Sequence, residues 1–389
     1  MALSAMVVDD DELVRGVLRR QMSDLGASPV AVACDGGEAA RVLREQGPFD
    51  VILLDLMMPG VDGIEFLRSL ALCKQPADLI LTSSLDPKLL RTAESLAQAH
   101  SLKVLGILPK PVRTSAIGEL LARRSASLAP RFNATPVTVE RLTAALRAGH
   151  VMPHFQPKLC ARTGVVKSVE ALARWEDPHE GSISPARFIS VAERHGLIDE
   201  LTVRVAEQSL RVLGRWSAEG FRPDLEINVS AISLERIDMP DQMAQLTQRH
   251  DVDPSRVTFE ITESALVGHL SQSLDTLTRL RMKGFHLAVD DFGTGYATLS
   301  QLKMLPLSEL KIDLSFVSRA VRDPEARAIV DSCVALAQQF GLITVAEGVE
   351  DQATAELLRR LGTTLLQGFA YSPALPERQL LDWVRARRH

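Results

Sequence analysis

The chain has 389 residues, a formal net charge of −5, and 46% hydrophobic against 24% charged residues. That length accommodates two or three domains, each large enough to bury a core. The acidic balance gives no electrostatic reason to bind nucleic acid polymers, and no apolar run approaches the roughly 20 residues of a membrane span. The four cysteines, Cys34, Cys73, Cys160 and Cys333, lie scattered without CxxC spacing, as reduced thiols do. The N-terminus turns acidic at Asp9 before a signal-peptide pattern develops, so a cytoplasmic location is expected.

Over residues 1–124, short apolar strands alternate with amphipathic helices, the pattern of an α/β, doubly wound parallel sheet. Ala5-Met6-Val7-Val8 ends in Asp9-Asp10-Asp11, and Asp50-Val51-Ile52-Leu53-Leu54 ends in Asp55, followed by Leu56-Met57-Met58-Pro59-Gly60. Leu79-Ile80-Leu81 ends in Thr82-Ser83-Ser84, and the run 104–108 ends in Pro109-Lys110-Pro111. The carboxyl ends of such strands share one pocket. Acids, a hydroxyl and a lysine gathered there suit metal-assisted phosphoryl transfer to a carboxylate. In order and type, these motifs resemble a response-regulator receiver domain, with a flavodoxin-like fold. The resemblance implies that Asp55 accepts phosphate, that Asp9 and Asp10 help bind one Mg2+, and that Lys110 pairs with the phosphoryl group. Ser83, followed by the small Ser84, fits the switch hydroxyl best, with Thr82 as the fallback. Ile107 stands where many receivers carry a switch aromatic. A cognate sensor histidine kinase is the implied partner.

Residues 125–140 contain Ser125-Ala126-Ser127, Pro130 and Pro136 and lack helical periodicity, so they read as a short, part-stiffened linker. The remainder, 141–389, has the usual size of one TIM-like (β/α)8 barrel. Its candidate strands are Met152–Gln156, Lys167–Ala171, Leu225–Val229, Arg256–Thr262, His286–Asp290, Glu309–Asp313, Ile343–Ala346 and Thr364–Gln367. Amphipathic helices such as Thr202–Ala218 and Glu325–Phe340 lie between most of them. At or near the strand ends stand Gln156, Glu170, Asn228, Glu260, Asp290 with Asp291, Lys311, Glu347 and Gln367. Barrel enzymes carry their chemistry at that mouth. The adjacent aspartates repel each other and cost desolvation energy unless cations neutralise them. Hard ions such as Mg2+ or Mn2+ choose oxygen ligands. One strand-end acid is usually a helix cap, whereas nine coordinated polar positions make a site.

Glu170-Ala171-Leu172-Ala173-Arg174-Trp175, Asn228-Val229-Ser230, Glu260-Ile261-Thr262-Glu263, Asp290-Asp291-Phe292-Gly293-Thr294-Gly295, Lys311-Ile312-Asp313, Ala346-Glu347-Gly348-Val349-Glu350 and Gln367-Gly368 resemble an EAL domain. This is the cyclic di-GMP phosphodiesterase family, and the resemblance spans residues 141–389. It implies that Glu170, Asn228, Glu260 and Asp290 hold a first metal, Mg2+ or Mn2+. Asp290 then bridges to a second, completed by Asp291 and Glu347. Lys311 and Glu347 orient the attacking water, with Glu347 the general base, and linear pGpG is the product. Gln156 and Arg174 look like substrate contacts, and Gln367 positions substrate or water. Glu263 is implied to clamp the loop from Phe292 to Leu305, which Gly293 and Gly295 hinge. After Gln367-Gly368-Phe369 the family usually shows a basic residue before proline, where this chain has Ser372-Pro373. The combination resembles two-component response regulators with an EAL output, which implies a homodimer or tetramer, no membrane and no nucleic acid polymer. The alternative is a catalytically silent cyclic di-GMP receptor or protein-binding module. Such domains lose metal ligands or the loop, and this one keeps both.

Overall fold

Near-continuous apolar runs form the N-terminal sheet in a computed structural model that describes residues 3–72, 77–83, 90, 93, 96–97, 102–128, 136–263, 265, 270–294 and 299–387. The chain divides into two units, Met1–Ala134 and Thr135–His389. In the first, β1 (Leu3–Val8), β2 (Ala27–Ala33), β3 (Val51–Asp55), β4 (Asp78–Ser83) and β5 (Lys103–Pro109) pair in parallel in the order β2-β1-β3-β4-β5. Side chains alternate across a strand, and both sets are buried here. Met6, Val8, Ile52 and Leu54 pack with Phe66 and Leu67 on one face, while Ala5, Val7, Val51 and Leu53 pack with Leu18, Met22 and Ile117 on the other. Asp11, the third acid of the first run, caps helix Glu12–Asp24 by accepting from Leu13 N and Val14 N at 2.8 and 3.1 Å.

The helix Thr114–Leu128 runs into the segment expected to be a linker without helical periodicity, and the next helix, Val139–Ala148, begins within it. Between Gly118 and Pro130 no glycine or proline interrupts the chain, so nothing stops the first helix at the start of the linker. Thr138 caps the second, accepting from Arg141 N at 3.3 Å.

The second unit is a closed barrel of β6 (Val151–Cys160), β7 (Val166–Asp177), β9 (Asp224–Asn228), β10 (Val257–Thr262), β11 (His286–Phe292), β12 (Glu309–Ile312), β13 (Ile343–Ala346) and β14 (Leu365–Leu366). A short β8 (Gly181–Ile183) folds back on β7. All eight expected strands are present, but β6 runs antiparallel to both neighbours, β7 and β14. Gln156 is therefore not at a carboxyl strand end; it lies within β6, in register with Glu170. The cause is the connection: only a tight turn separates β6 from β7, and a parallel pair needs a crossover of about a dozen residues or more.

Helix Ile198–Ala218 shows why the outer layer packs. Its buried Ile198, Leu201, Val205, Leu210, Leu213 and Trp216 recur at helical spacing. Trp216 meets Phe155 of β6 edge-on at 4.9 Å between centroids and Phe221 at 5.4 Å. Trp216→Ala is expected to destabilise the barrel by about 3–5 kcal/mol. Denaturant unfolding followed by barrel-specific fluorescence checks this, and a loss below ~1 kcal/mol would show that the helix is not anchored there.

Candidate functional site

The barrel strands carry their inward polar side chains to one mouth. Lys311 on β12 is buried, with Nζ 2.7 Å from Glu347 Oε1, 3.0 Å from both Glu260 Oε2 and Asp290 Oδ1, and 3.9 Å from Glu170 Oε2. Asn228 Nδ2 and Gln367 Nε2 donate to the two oxygens of Glu170 at 2.8 and 2.6 Å. Gln367 Nε2 also reaches Gln156 Oε1 at 3.2 Å, and Gln156 Nε2 donates to Ser372 O at 3.2 Å. Arg174 shares a side of β7 with Glu170. Together with Asn228, Asp290, Ile189 and Leu201 these two line a cleft of about 390 Å³. Every residue expected at the rim is thus brought to one place.

Its electrostatics are unbalanced. Burial pushes Glu347 up to about 8 despite Lys311, and Asp290 and Glu170 reinforce the shift. Asp291 is pushed up to about 6 by burial first, then by Asp290 and Asp313. Glu170 is raised by burial and by Glu260. In Glu260 burial acts upward too, but Lys158 and Lys311 outweigh it and hold the acid below its usual range. Raised acids in a low-dielectric mouth are short of positive charge. Asp290, Asp291 and Glu347 offer carboxylate oxygens within 4.8 Å of one another. An all-oxygen donor set with surplus negative charge fits Mg2+ or Mn2+.

Neighbouring strand residues normally face opposite ways, so adjacent aspartates sharing a site need an explanation. A bulge supplies it. Val289 pairs with Leu310 and Phe292 with Ile312, so β11 holds one residue more than β12 across this step. Asp291 takes up the excess in the left-handed region, at φ 57°, and its N–H donates to Asp290 Oδ1 at 3.0 Å. Such strain persists where surrounding structure enforces it. Just beyond, buried Glu263 accepts from Gly293 N at 3.1 Å. The loop expected from Phe292 to Leu305 contains a short helix, Leu299–Met304, with Leu302 buried; Gly295 lies outside the described residues. On the far side, Gly368 lies against Val349, where any Cβ would overlap the peptide. That contact lets Val349 N donate to Gln367 O at 3.0 Å and sets Gln367 beside the turn that carries Glu347.

No motif singles out the layer beneath. Lys158, fully buried, has Nζ 2.9 Å from Glu260 Oε1 and 3.3 Å from Glu309 Oε1, and it also pairs with Glu226. Ser168 Oγ donates to Glu226 at 2.6 Å. The signal was the period of two: Ser168, Glu226 and Glu309 each stand two residues before Glu170, Asn228 and Lys311. On the reversed β6, Lys158 stands two after Gln156.

In the N-terminal unit, Lys110 Nζ lies 2.5 Å from Asp55 Oδ2 and 2.8 Å from Asp9 Oδ2. Asp9, Asp10 and Asp55 offer oxygens within 4.8 Å of one another, and burial raises Asp9 although Lys110 opposes it. Thr82 and Ser83 are both buried; Thr82 is in register with Asp55 and Ser83 with Pro109. Ser84 lies outside the described residues. Ile107 is half-buried on β5.

A family model described as a response regulator receiver domain matches residues 5–122, and one described as an EAL domain matches residues 139–374. The chain is 33% identical over 385 residues to the cyclic di-GMP phosphodiesterase RocR of Pseudomonas aeruginosa, covering 98% of each protein. It is 39% identical over 244 residues to the bifunctional diguanylate cyclase/cyclic di-GMP phosphodiesterase MucR of the same species, covering 62% of this chain and 36% of that one. The solved MucR phosphodiesterase in complex with c-di-GMP superposes with a TM-score of 0.60 at 38% identity, covering 62% of this chain and 98% of that one.

A hydrogen bond from a part-buried amide to a carboxylate has a measurable signature. Glu263→Ala is expected to speed Gly293 amide exchange by about 10- to 100-fold, the equivalent of a charge-assisted hydrogen bond, while Glu263→Gln retains most of the protection. Unchanged exchange in the alanine variant would show that Glu263 does not hold this loop.

Proposed function

This chain belongs to the EAL domain family and carries a response-regulator receiver domain, and on that premise we propose that it hydrolyses cyclic di-GMP to linear pGpG under control of phosphorylation at Asp55. The reading is carried by one observation: Asp290, Asp291 and Glu347 place carboxylate oxygens within 4.8 Å around buried Lys311 at the barrel mouth. Glu170, Asn228, Glu260 and Asp290 would hold one Mg2+ or Mn2+ ion, and Asp290 and Asp291 a second, which Glu347 would complete partly through water. When bound, such ions polarise a phosphoryl oxygen and make hydroxide available near neutral pH.

The chain's own groups do the rest. Arg174 offers forked donors to a substrate phosphate. Gln156 and Gln367 fix the substrate at the Glu170 side, and the apolar wall at Ile189 and Leu201 excludes water there. Lys311 holds Glu347 Oε1, which leaves Oε2 to take the proton of the attacking water. The oxygen attacks one phosphorus in line, the bond to the 3′-oxygen breaks, and that oxygen takes a proton from solvent as it leaves. Asp290 and Asp291 are poor bases, since their lone pairs serve the ions.

In the receiver, Asp9 and Asp10 would hold one Mg2+, Asp55 would take phosphate from a sensor histidine kinase, and Lys110 would pair with the phosphoryl oxygens. Ser83 or Thr82 supplies the hydroxyl. The added charge must bias a two-state element, and the loop after Phe292, hinged at Gly293 and held by Glu263, is the candidate. A cytoplasmic homodimer or tetramer completes the proposal.

Incubation with cyclic di-GMP and Mg2+, with products resolved by chromatography, should yield pGpG and should yield none in excess chelator. Glu347→Gln is expected to lower the rate by about 100-fold or more, since it removes the base and a ligand charge. Near-native turnover in that variant, or full turnover without metal, would refute the assignment. Phosphorylation is expected to raise turnover by about fivefold or more, and Asp55→Asn to remove the response while leaving basal activity. Equal rates for phosphorylated and unphosphorylated protein would end the regulatory reading.

A further inference from the structure

We propose that Lys158 is a positioning residue for this site: its ammonium, fixed one layer below the mouth, anchors one oxygen of Glu260 so that the other is presented at the mouth. The inference rests on the reading of the mouth as a metal site. Glu260 has its two oxygens divided between two buried lysines. Oε1 meets Lys158 Nζ at 2.9 Å, and Oε2 meets Lys311 Nζ at 3.0 Å. The first contact points down into the barrel, and the second points to the mouth.

Lys158 is itself immobilised. It is fully buried, it pairs with Glu226 and Glu309, and Glu226 is held in turn by Ser168 at 2.6 Å. These contacts come from β6, β7, β9 and β12, so four strands fix one ammonium. Glu226, Glu260 and Glu309 bring oxygens within 4.8 Å of one another, and Lys158 stands among them as a cation that cannot dissociate. Groups that orient a metal ligand from behind typically govern affinity for the metal, and losing one costs about 10- to 100-fold. Lys158 touches neither the substrate nor the ions in this scheme, and it acts through Glu260 alone.

Removing the lysine by itself would strand buried carboxylates and destabilise the fold. The test therefore uses the full-length triple variant Lys158→Met/Glu226→Gln/Glu309→Gln, which neutralises the layer and leaves the mouth intact. Binding of Mn2+ is measured by electron paramagnetic resonance without substrate, alongside the thermal midpoint. The expected result is a folded protein whose Mn2+ affinity falls by about 10- to 100-fold. Wild-type affinity in the folded triple variant overturns the proposal. The double variant Glu226→Gln/Glu309→Gln keeps the Lys158–Glu260 pair, and its affinity should stay within about threefold of wild type. A tenfold or greater loss there would place the effect in the layer as a whole and overturn the role given to Lys158, even if the triple variant fails to fold. Because the readout needs no cyclic di-GMP, failure of the hydrolytic reading would be seen separately, as Mn2+ binding without turnover.

Discussion

The barrel's central constraint is the mutual repulsion of carboxylates in a medium that cannot screen them. Glu170, Glu226, Glu260, Glu309, Asp290, Asp291 and Glu347 share the interior with two ammoniums, Lys158 and Lys311. Two buried lysines offset part of that charge, and the acids nearest the mouth keep the deficit. Charges taken out of water are stabilised only by close, well-oriented partners. The architecture follows from this requirement: a closed barrel can aim side chains from many strands at one point, and an open sheet cannot. The same surplus that would be a liability in a structural core is what draws hard cations to a catalytic one.

Much of this was legible because strand periodicity and motif coincide. Six of the eight strands are short apolar runs whose polar ends mark the mouth, while Gln156 and Glu170 stand within the longer β6 and β7. The receiver pocket was legible for the same reason, since Asp9, Asp55 and Lys110 close three strands of one parallel sheet. Two features were hidden. The Asp290-Asp291 pair reads as a strand end, yet its convergence depends on a bulge set by pairing with β12, which is a tertiary fact. The buried layer at Lys158 lies outside every motif, and only counting in twos from the motif residues would have found it.

The reversal of β6 is written in its connection, since only residues 161–165 separate it from β7. The interdomain segment has helical ends. There the small polar residues Ser125 and Ser127 suggested coil, whereas residues of middling helix propensity simply extend a helix already nucleated upstream. In both places connection geometry outweighs local composition.

The reversed strand also bears on how the barrel is made. β6 is the first strand synthesised and pairs at once with β7, but its other edge belongs to β14, with Cys160 opposite Leu365. On the ribosome, the N-terminal hairpin must wait with one edge bare until almost the whole domain has emerged. Until then Lys158 has Glu226, Glu260 and Glu309 only as they arrive one by one, in water, where such pairs are weak. The interior charge layer is therefore a late event in biosynthesis, and a chain stalled before its last strand would expose both a free sheet edge and a solvated catalytic core to the chaperones that receive it.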